Sequence, residues 1–351
     1  MAVRSLPDIV RATWLTRKGR LSEALAVLRS QLPEGEKEPP TASPEAVPAG
    51  LLDFRRKFGI FNKHKTAPSP GPQRQFDMHT FTNGAGSRSY KLYVPSSYKG
   101  QKVPLVVMLH GCTQSPDDFA AGTQFNDLAE EHGFLVAYPA QPRSANSSGC
   151  WNWFNPSDQK RDSGEPSIIA GITRRIMEGY AIDSDKIFVA GLSAGGAAAA
   201  IMGMTYPELY AAIGVHSGLS CGVASDVASA FAAMREGGRP RTVAARRGGS
   251  VRAIVFHGDA DKTVNPINGD QVAGQYQTAS SSLTSTTHGK SAGGVAYTRT
   301  THADGAGRIT SEQWLLHGVG HAWSGGSSAG TYTDPRGPDA SREMLRFFLQ
   351  S

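Results

Sequence analysis

A serine hydroxyl is a poor nucleophile at neutral pH. It becomes a useful one when a base takes its proton and an acid orients that base. One serine of this 351-residue chain stands where such activation could be built: Ser193, in Gly191-Leu192-Ser193-Ala194-Gly195. Acids and imidazoles follow it in two clusters, His257-Gly258-Asp259-Ala260-Asp261 and His317-Gly318-Val319-Gly320-His321. Together these residue types support acyl transfer through a covalent intermediate.

The flanking sequence says what must position them. The apolar run Ile187–Ala190 predicts a buried strand, and the alanine-rich stretch after Ser193 predicts a helix. Strand, G-x-S-x-G and helix in that order form a nucleophile elbow, whose glycines are needed where a Cβ would strike a neighbouring element. In sheets that carry this elbow the acid and the histidine follow the serine, each on a loop after a strand. His321 is the expected base because Gly318 and Gly320 flank a turn that could carry it across to the elbow. His317 is expected to belong to the strand as a structural histidine. Asp261 is the expected acid, with Asp259 read as a turn residue bonded within its own loop. The oxyanion donors are expected to be backbone N–H groups: Ala194, next to the nucleophile, and Cys112, in the loop after the apolar run Pro104–His110.

Around this centre the pattern alternates. A hairpin is predicted from Phe76–Phe81 and Arg88–Val94, with strands at Pro104–His110, Phe134–Tyr138, Ala211–His216 and Val251–His257. Helical periodicity runs through Asp117–His132 and Glu165–Tyr180. A loose Ser/Thr/Gly region, a strand pair at Val295–His302 and Ile309–His317, and a helix at Asp339–Leu349 complete the chain. Alternating strands and helices imply an α/β fold, a mostly parallel central sheet flanked by helices.

The motifs LHGCTQ (109–114), CWNWF (150–154), GLSAGG (191–196), HGDADKTV (257–264) and GVGHAWSGG (318–326) occur in one order. In this the chain resembles the poly(3-hydroxybutyrate) depolymerase family esterases, α/β-hydrolases similar to feruloyl and acetylxylan esterases. The resemblance covers roughly residues 76–350 and implies Ser193, Asp261 and His321 as the catalytic triad. Trp151 and Trp153, in a loop after a strand end, are read as an aromatic wall for substrate, with Trp323 as a further candidate. Cys112 and Cys150 could form a disulfide tying the oxyanion loop to the tryptophan loop; a cytoplasmic home would argue against it. The arginines of 239–252 sit among glycines without interleaved aromatics, so a solvated loop is expected rather than a nucleic-acid site.

Outside 76–351 the composition changes. Residues 1–32 read as a helical hairpin with one apolar stripe, Leu21, Leu25, Leu28 and Leu32. That stripe is expected to pack on the body of the protein, self-association through it being the alternative. Residues 33–75 are a proline-rich linker with an amphipathic insert at Phe54, Phe58, Ile60 and Phe61. The net charge of +6 favours solubility without arguing for nucleic acid, and no apolar run approaches the roughly 18 residues of a membrane span. No signal peptide is read, since Asp8 and Glu23 interrupt the N-terminal pattern. The expected compartment is therefore cytoplasmic, with an extracellular or periplasmic location, as for many members of the resembled family, as the alternative.

The expected function is a serine carboxylic-ester hydrolase working through an acyl-enzyme on a small or oligomeric ester. Short-chain hydroxyalkanoate, aromatic and acetyl esters are the candidate substrates, and no metal or organic cofactor is implied. An acyltransferase or amidase using the same residues, or a catalytically idle binding protein of the same fold, are the alternatives.

Overall fold

The computed structural model describes residues 75–238, 251–277 and 283–350. The N-terminal hairpin and the linker up to residue 74 lie outside them, as do residues 239–250 of the arginine-rich stretch.

Apolar runs buried on both faces make parallel strands. Six such strands form the centre of one ten-stranded sheet. In spatial order they are β4 (Leu135–Pro139), β3 (Val103–Leu109), β5 (Ile182–Leu192), β6 (Ala212–His216), β7 (Arg252–Gly258) and β10 (Ile309–Leu316). The hairpin of β1 (Gln75–Asn83) and β2 (Gly86–Val94) extends one side, antiparallel to β4. On the other side β9 (Ala296–Ala303) and β8 (Leu283–Lys290) continue antiparallel from β10.

Alternate residues of each strand feed two cores. Leu105, Val107 and Leu109 face one layer of helices: α3 (Gly164–Gly179), α4 (Ala194–Thr205), α5 (Val227–Glu236) and α6 (Ile267–Tyr276). Val106 and Met108 face the other: α1 (Pro116–Thr123), α2 (Phe125–His132) and α7 (Ala340–Leu349). This is the α/β-hydrolase arrangement. Among the described residues no helix is long and apolar enough to cross a membrane.

Two expectations need correction. The periodic stretch 117–132 is two helices, because Gln124 adopts a left-handed conformation (φ 57°, ψ 24°) that ends one and begins the next. The stretch expected to be loose holds helix α6 and strand β8. Gly269 and Gly274 weaken the helical signal of α6, and β8 (LTSTTHGK) has no apolar face to show a strand period.

Helix α4 is the element that sets the site. Its alanines and glycines let it lie close against β5 and β6, and residues 194–203 are buried throughout. A Cβ on Gly195 would sit 2.0 Å from the Leu109 carbonyl oxygen of β3, and one on Gly191 2.4 Å from the Gly195 carbonyl carbon. Both obstacles are backbone, which cannot swing aside. We therefore expect Gly195→Ala to destabilise the protein by about 3 kcal/mol, as overpacking against fixed atoms does. Urea unfolding measures it; a loss below ~1 kcal/mol would mean the helix can shift away from the sheet at little cost.

Candidate active site

Ser193 follows β5, the acid cluster follows β7, His321 follows β10 and Cys112 follows β3, so all stand at the carboxyl edge of the parallel strands. That edge is where α/β sheets hold their sites. Ser193 has φ 57° and ψ −118°, outside the regions ordinary residues occupy. A strained turn of this kind lifts a side chain off the strand end, as a nucleophile elbow requires. Its N–H donates to the His216 carbonyl at 2.9 Å, and its own carbonyl accepts from Ala197 N–H at 2.9 Å.

His321 Nδ1 lies 2.7 Å from Asp261 Oδ2. The proton on Nδ1 therefore donates to the carboxylate, which leaves Nε2 free as a base. The other carboxylate oxygen, Oδ1, accepts the N–H groups of Thr263 (2.8 Å) and Val264 (2.9 Å). His257, fully buried, donates from Nε2 to the Val264 carbonyl at 2.9 Å and stands 3.5 Å from Asp261 Oδ2. Burial alone would raise the Asp261 carboxyl, but the hydrogen bonds from His257, His321 and Val264 outweigh it and hold the group well below the usual carboxylate range.

Asp259 and His317, the alternatives at sequence level, pair with each other. His317 Nδ1 donates to Asp259 Oδ2 at 2.9 Å, Gly318 N–H donates to Asp259 Oδ1 at 2.7 Å, and Thr298 Oγ1 lies 2.9 Å from His317 Nε2. Asp259 thus reaches beyond its own loop. His317 stands just past β10 with its side chain 39% exposed, so it is a surface clamp and not a core histidine.

The loop after β3 is fixed from three directions. Gly111 N–H donates to Gln114 Oε1 at 2.9 Å, and Thr113 N–H to the Ser148 carbonyl at 2.8 Å. Cys112 is disulfide-bonded to Cys150. Among the described residues, the N–H groups of Cys112 and Ala194 have no protein acceptor. Two unused donors beside a nucleophile are what an oxyanion needs.

The three tryptophans do not form a wall. Trp151, Trp153 and Trp323 are 0%, 6% and 1% exposed. Trp323 meets Phe119 and Phe125 edge-on and donates from Nε1 to Ser341 Oγ at 3.0 Å. Trp151 and Trp153 join the core on the α3 and α4 side. Indoles are large apolar bodies, and the loops carrying them fold inward to bury that area.

Two residues of the site were not legible in the sequence. Glu165, 6% exposed, accepts from Asn152 N–H (2.7 Å) and Asn152 Nδ2 (2.8 Å), and Gln141 Nε2 also donates to it, so it pins the tryptophan loop. His216 accepts Ser193 N–H on its carbonyl and Ser324 N–H (3.0 Å) on Nε2, so one residue holds both the elbow and the His321 loop. Its ring stacks on Trp323 with centroids 5.2 Å apart. In the sequence Glu165 is one acid at a helix start and His216 the last residue of an apolar run, and neither position signals these contacts.

Residues 88–298 match the family described as esterase PHB depolymerase. The chain belongs to that family. It is 34% identical over 206 residues to poly(3-hydroxyalkanoate) depolymerase C of Paucimonas lemoignei, covering 56% of this chain and 49% of that one. It is 30% identical over 203 residues to the probable acetylxylan esterase A of Neosartorya fischeri, covering 53% and 54%. The chain spans about half the length of these curated relatives. Among solved structures, the acetyl xylan esterase from Aspergillus awamori superposes with a TM-score of 0.60 at 22% identity, over 78% of this chain and 98% of that one. This last likeness shows the shared fold.

The buried imidazole of this PHB depolymerase family member gives its stability a pH dependence. Burial, with the neighbouring His257 and His321, pulls His216 down to about 3, and burial also lowers His110. In the unfolded chain both take up a proton near pH ~6.5. The contribution of His216 is therefore complete above that pH and is lost as the pH falls towards 3, and that of His110 declines in the same direction. Unfolding free energies from urea titrations between pH 7 and pH 4 should fall by roughly 1.4 kcal/mol per pH unit for His216 below pH ~6.5, with His110 adding in the same direction. A flat series would mean that these imidazoles accept protons while folded.

The disulfide spans 38 positions, and in the chain-entropy account a loop of that length is worth about 4 kcal/mol. Cys150→Ser, or reduction of the native protein, should lower the unfolding free energy by that order. Identical midpoints with and without reductant would show that Gln114 and Ser148 hold the loop unaided.

Proposed function

We propose that this chain is a serine carboxylic-ester hydrolase, with Ser193 as nucleophile, His321 as base and Asp261 as the acid that orients it. The observation that carries the reading is the 2.7 Å bond from His321 to Asp261, on the same sheet edge as a serine held at positive φ. Ser193 Oγ attacks the ester carbonyl carbon while His321 Nε2 takes its proton. Charge developing on the carbonyl oxygen is met by the N–H groups of Cys112 and Ala194. The bond to the alcohol oxygen then breaks, and the alcohol leaves with the proton from Nε2. Water, deprotonated by the same nitrogen, attacks the acyl-enzyme and releases the acid. Asp261 keeps the imidazole in the tautomer each step needs and stabilises its charged form.

The substrate class we favour is esters of short acids, hydroxyalkanoate, acetyl or aromatic, because relatives named for polyhydroxyalkanoate and acetylxylan both align across this region. We further propose that 76–351 is the catalytic domain. The Cys112–Cys150 bond favours an oxidising compartment, periplasmic or extracellular, over the cytoplasm.

Hydrolysis of p-nitrophenyl esters from acetyl to octanoyl tests the assignment. Ser193→Ala should lower kcat by about 10⁴-fold or more while leaving the unfolding midpoint close to wild type. Full activity in that variant, or no turnover by folded wild type on any ester of the series, would defeat it.

A further inference from the structure

The opposite edge of the sheet holds a second site. Beneath the amino ends of the central strands lies a cavity of about 420 Å³, walled by Phe188, Phe348 and Leu349 and rimmed by Asp185, Lys186, Arg252 and Arg308. Arg252 opens β7 and is 4% exposed. Its Nη2 donates to the Phe348 carbonyl at 3.2 Å and its guanidinium lies 4.9 Å from the centre of the Phe347 ring, but its Nε is buried with no partner. Among the described residues no carboxylate pairs with Arg252 or Arg308. Burial and the nearby charge of Arg308 pull the Arg252 guanidinium down to about 10.

A buried cation without a counter-charge is costly, and proteins keep such groups paired. Here two arginines face the same cavity. Lys186 adds a third positive charge, although it also pairs with Asp183 at 3.4 Å. Among the described residues Asp185 is the one acid on the rim, and it is exposed. The remaining wall is apolar. A guanidinium pair matches a carboxylate in charge and in donor geometry, and the phenylalanines and Leu349 match an aliphatic tail.

We propose that this cavity binds a carboxylate with a short aliphatic chain, its head group between Arg252 and Arg308 and its tail against Phe188, Phe348 and Leu349. The site is separate from Ser193. Lys186 and Leu192 lie six residues apart on β5, about 20 Å of extended strand, so a molecule bound here is not the one being cleaved. Acids of this class are what hydrolysis of short esters releases, so under the proposed function the site would sense product.

The test is isothermal titration of the full-length Ser193→Ala protein with hexanoate, hexanamide and inorganic phosphate. Hexanoate should bind saturably at one site per chain, and hexanamide should not. Arg308→Gln, on an exposed turn, should weaken hexanoate about tenfold, and Arg252→Met should abolish it. If Arg252→Met does not fold, Arg308→Gln decides. No hexanoate binding, or binding unchanged by the arginine substitutions, would overturn the proposal. Phosphate binding as tightly as hexanoate would overturn the requirement for a tail. Ester hydrolysis by the wild type is measured separately, so the two readings can fail independently.

Discussion

The structure depends on how closely helix α4 approaches the strand beside it. With no Cβ at Gly195, the first turn of the helix touches the carbonyl of Leu109 on β3, and with none at Gly191 the strand passes directly under that turn. Only then can the chain reverse from strand to helix within one residue, and that residue is Ser193 at φ 57°. The same approach brings the end of β3, and so Gly111 and Cys112, beside the start of the helix. Under the proposed function, two backbone donors and one hydroxyl would meet here because two side chains are absent. A steric constraint of this kind is rigid, as an anion-stabilising site must be if it is to avoid reorganising as charge develops.

Asp261 and His321 are placed by a different means. Their loops bury Val264, Val319 and Trp323 in the core and are further held by hydrogen bonds. Asp261 is fixed by Thr263 and Val264, and the loop after β10 is fixed by Asp259, His317 and the His216 ring. His216 matters most here, since its carbonyl serves the elbow and its Nε2 serves Ser324, three residues after His321. Its imidazole has to stay neutral for Nε2 to accept, and the stacked rings of Trp323 and Phe256 keep water away from it. Trp323 therefore acts on the site from behind, by keeping His216 dry.

This explains which parts could be read from the sequence. The elbow, the parallel strands and the order of serine, acid and histidine leave local marks: glycines at fixed offsets, apolar runs, and polar residues just past strand ends. Within these loops the sequence favoured Asp261 and His321 over Asp259 and His317; in the structure His321 bonds to Asp261 and His317 to Asp259. The tryptophans were misread because loop position suggests exposure, whereas the free energy of burying an indole draws the whole loop inward. Glu165 and His216 were missed because their partners lie 13 to 108 residues away, and no local pattern encodes such contacts. Strand β8 was missed for the opposite reason: both its faces are polar, so the period that marks a strand is absent.

The three ways of holding the site also differ in what they leave free. The elbow tolerates no added atom, and the acid–base loops tolerate no lost donor. The loop of Cys112 contributes through its backbone, and its position is secured by a covalent tie to Cys150 together with Gln114 and Ser148. Within 112–113 and 146–150, Thr113 and Ser147 are the exposed residues, whereas Asn146 is buried and bonded to Ser148, Cys150 and Asn152. One fold thus serves relatives named for different esters, and its rigid parts are the elbow and the strands beneath it, not the loops.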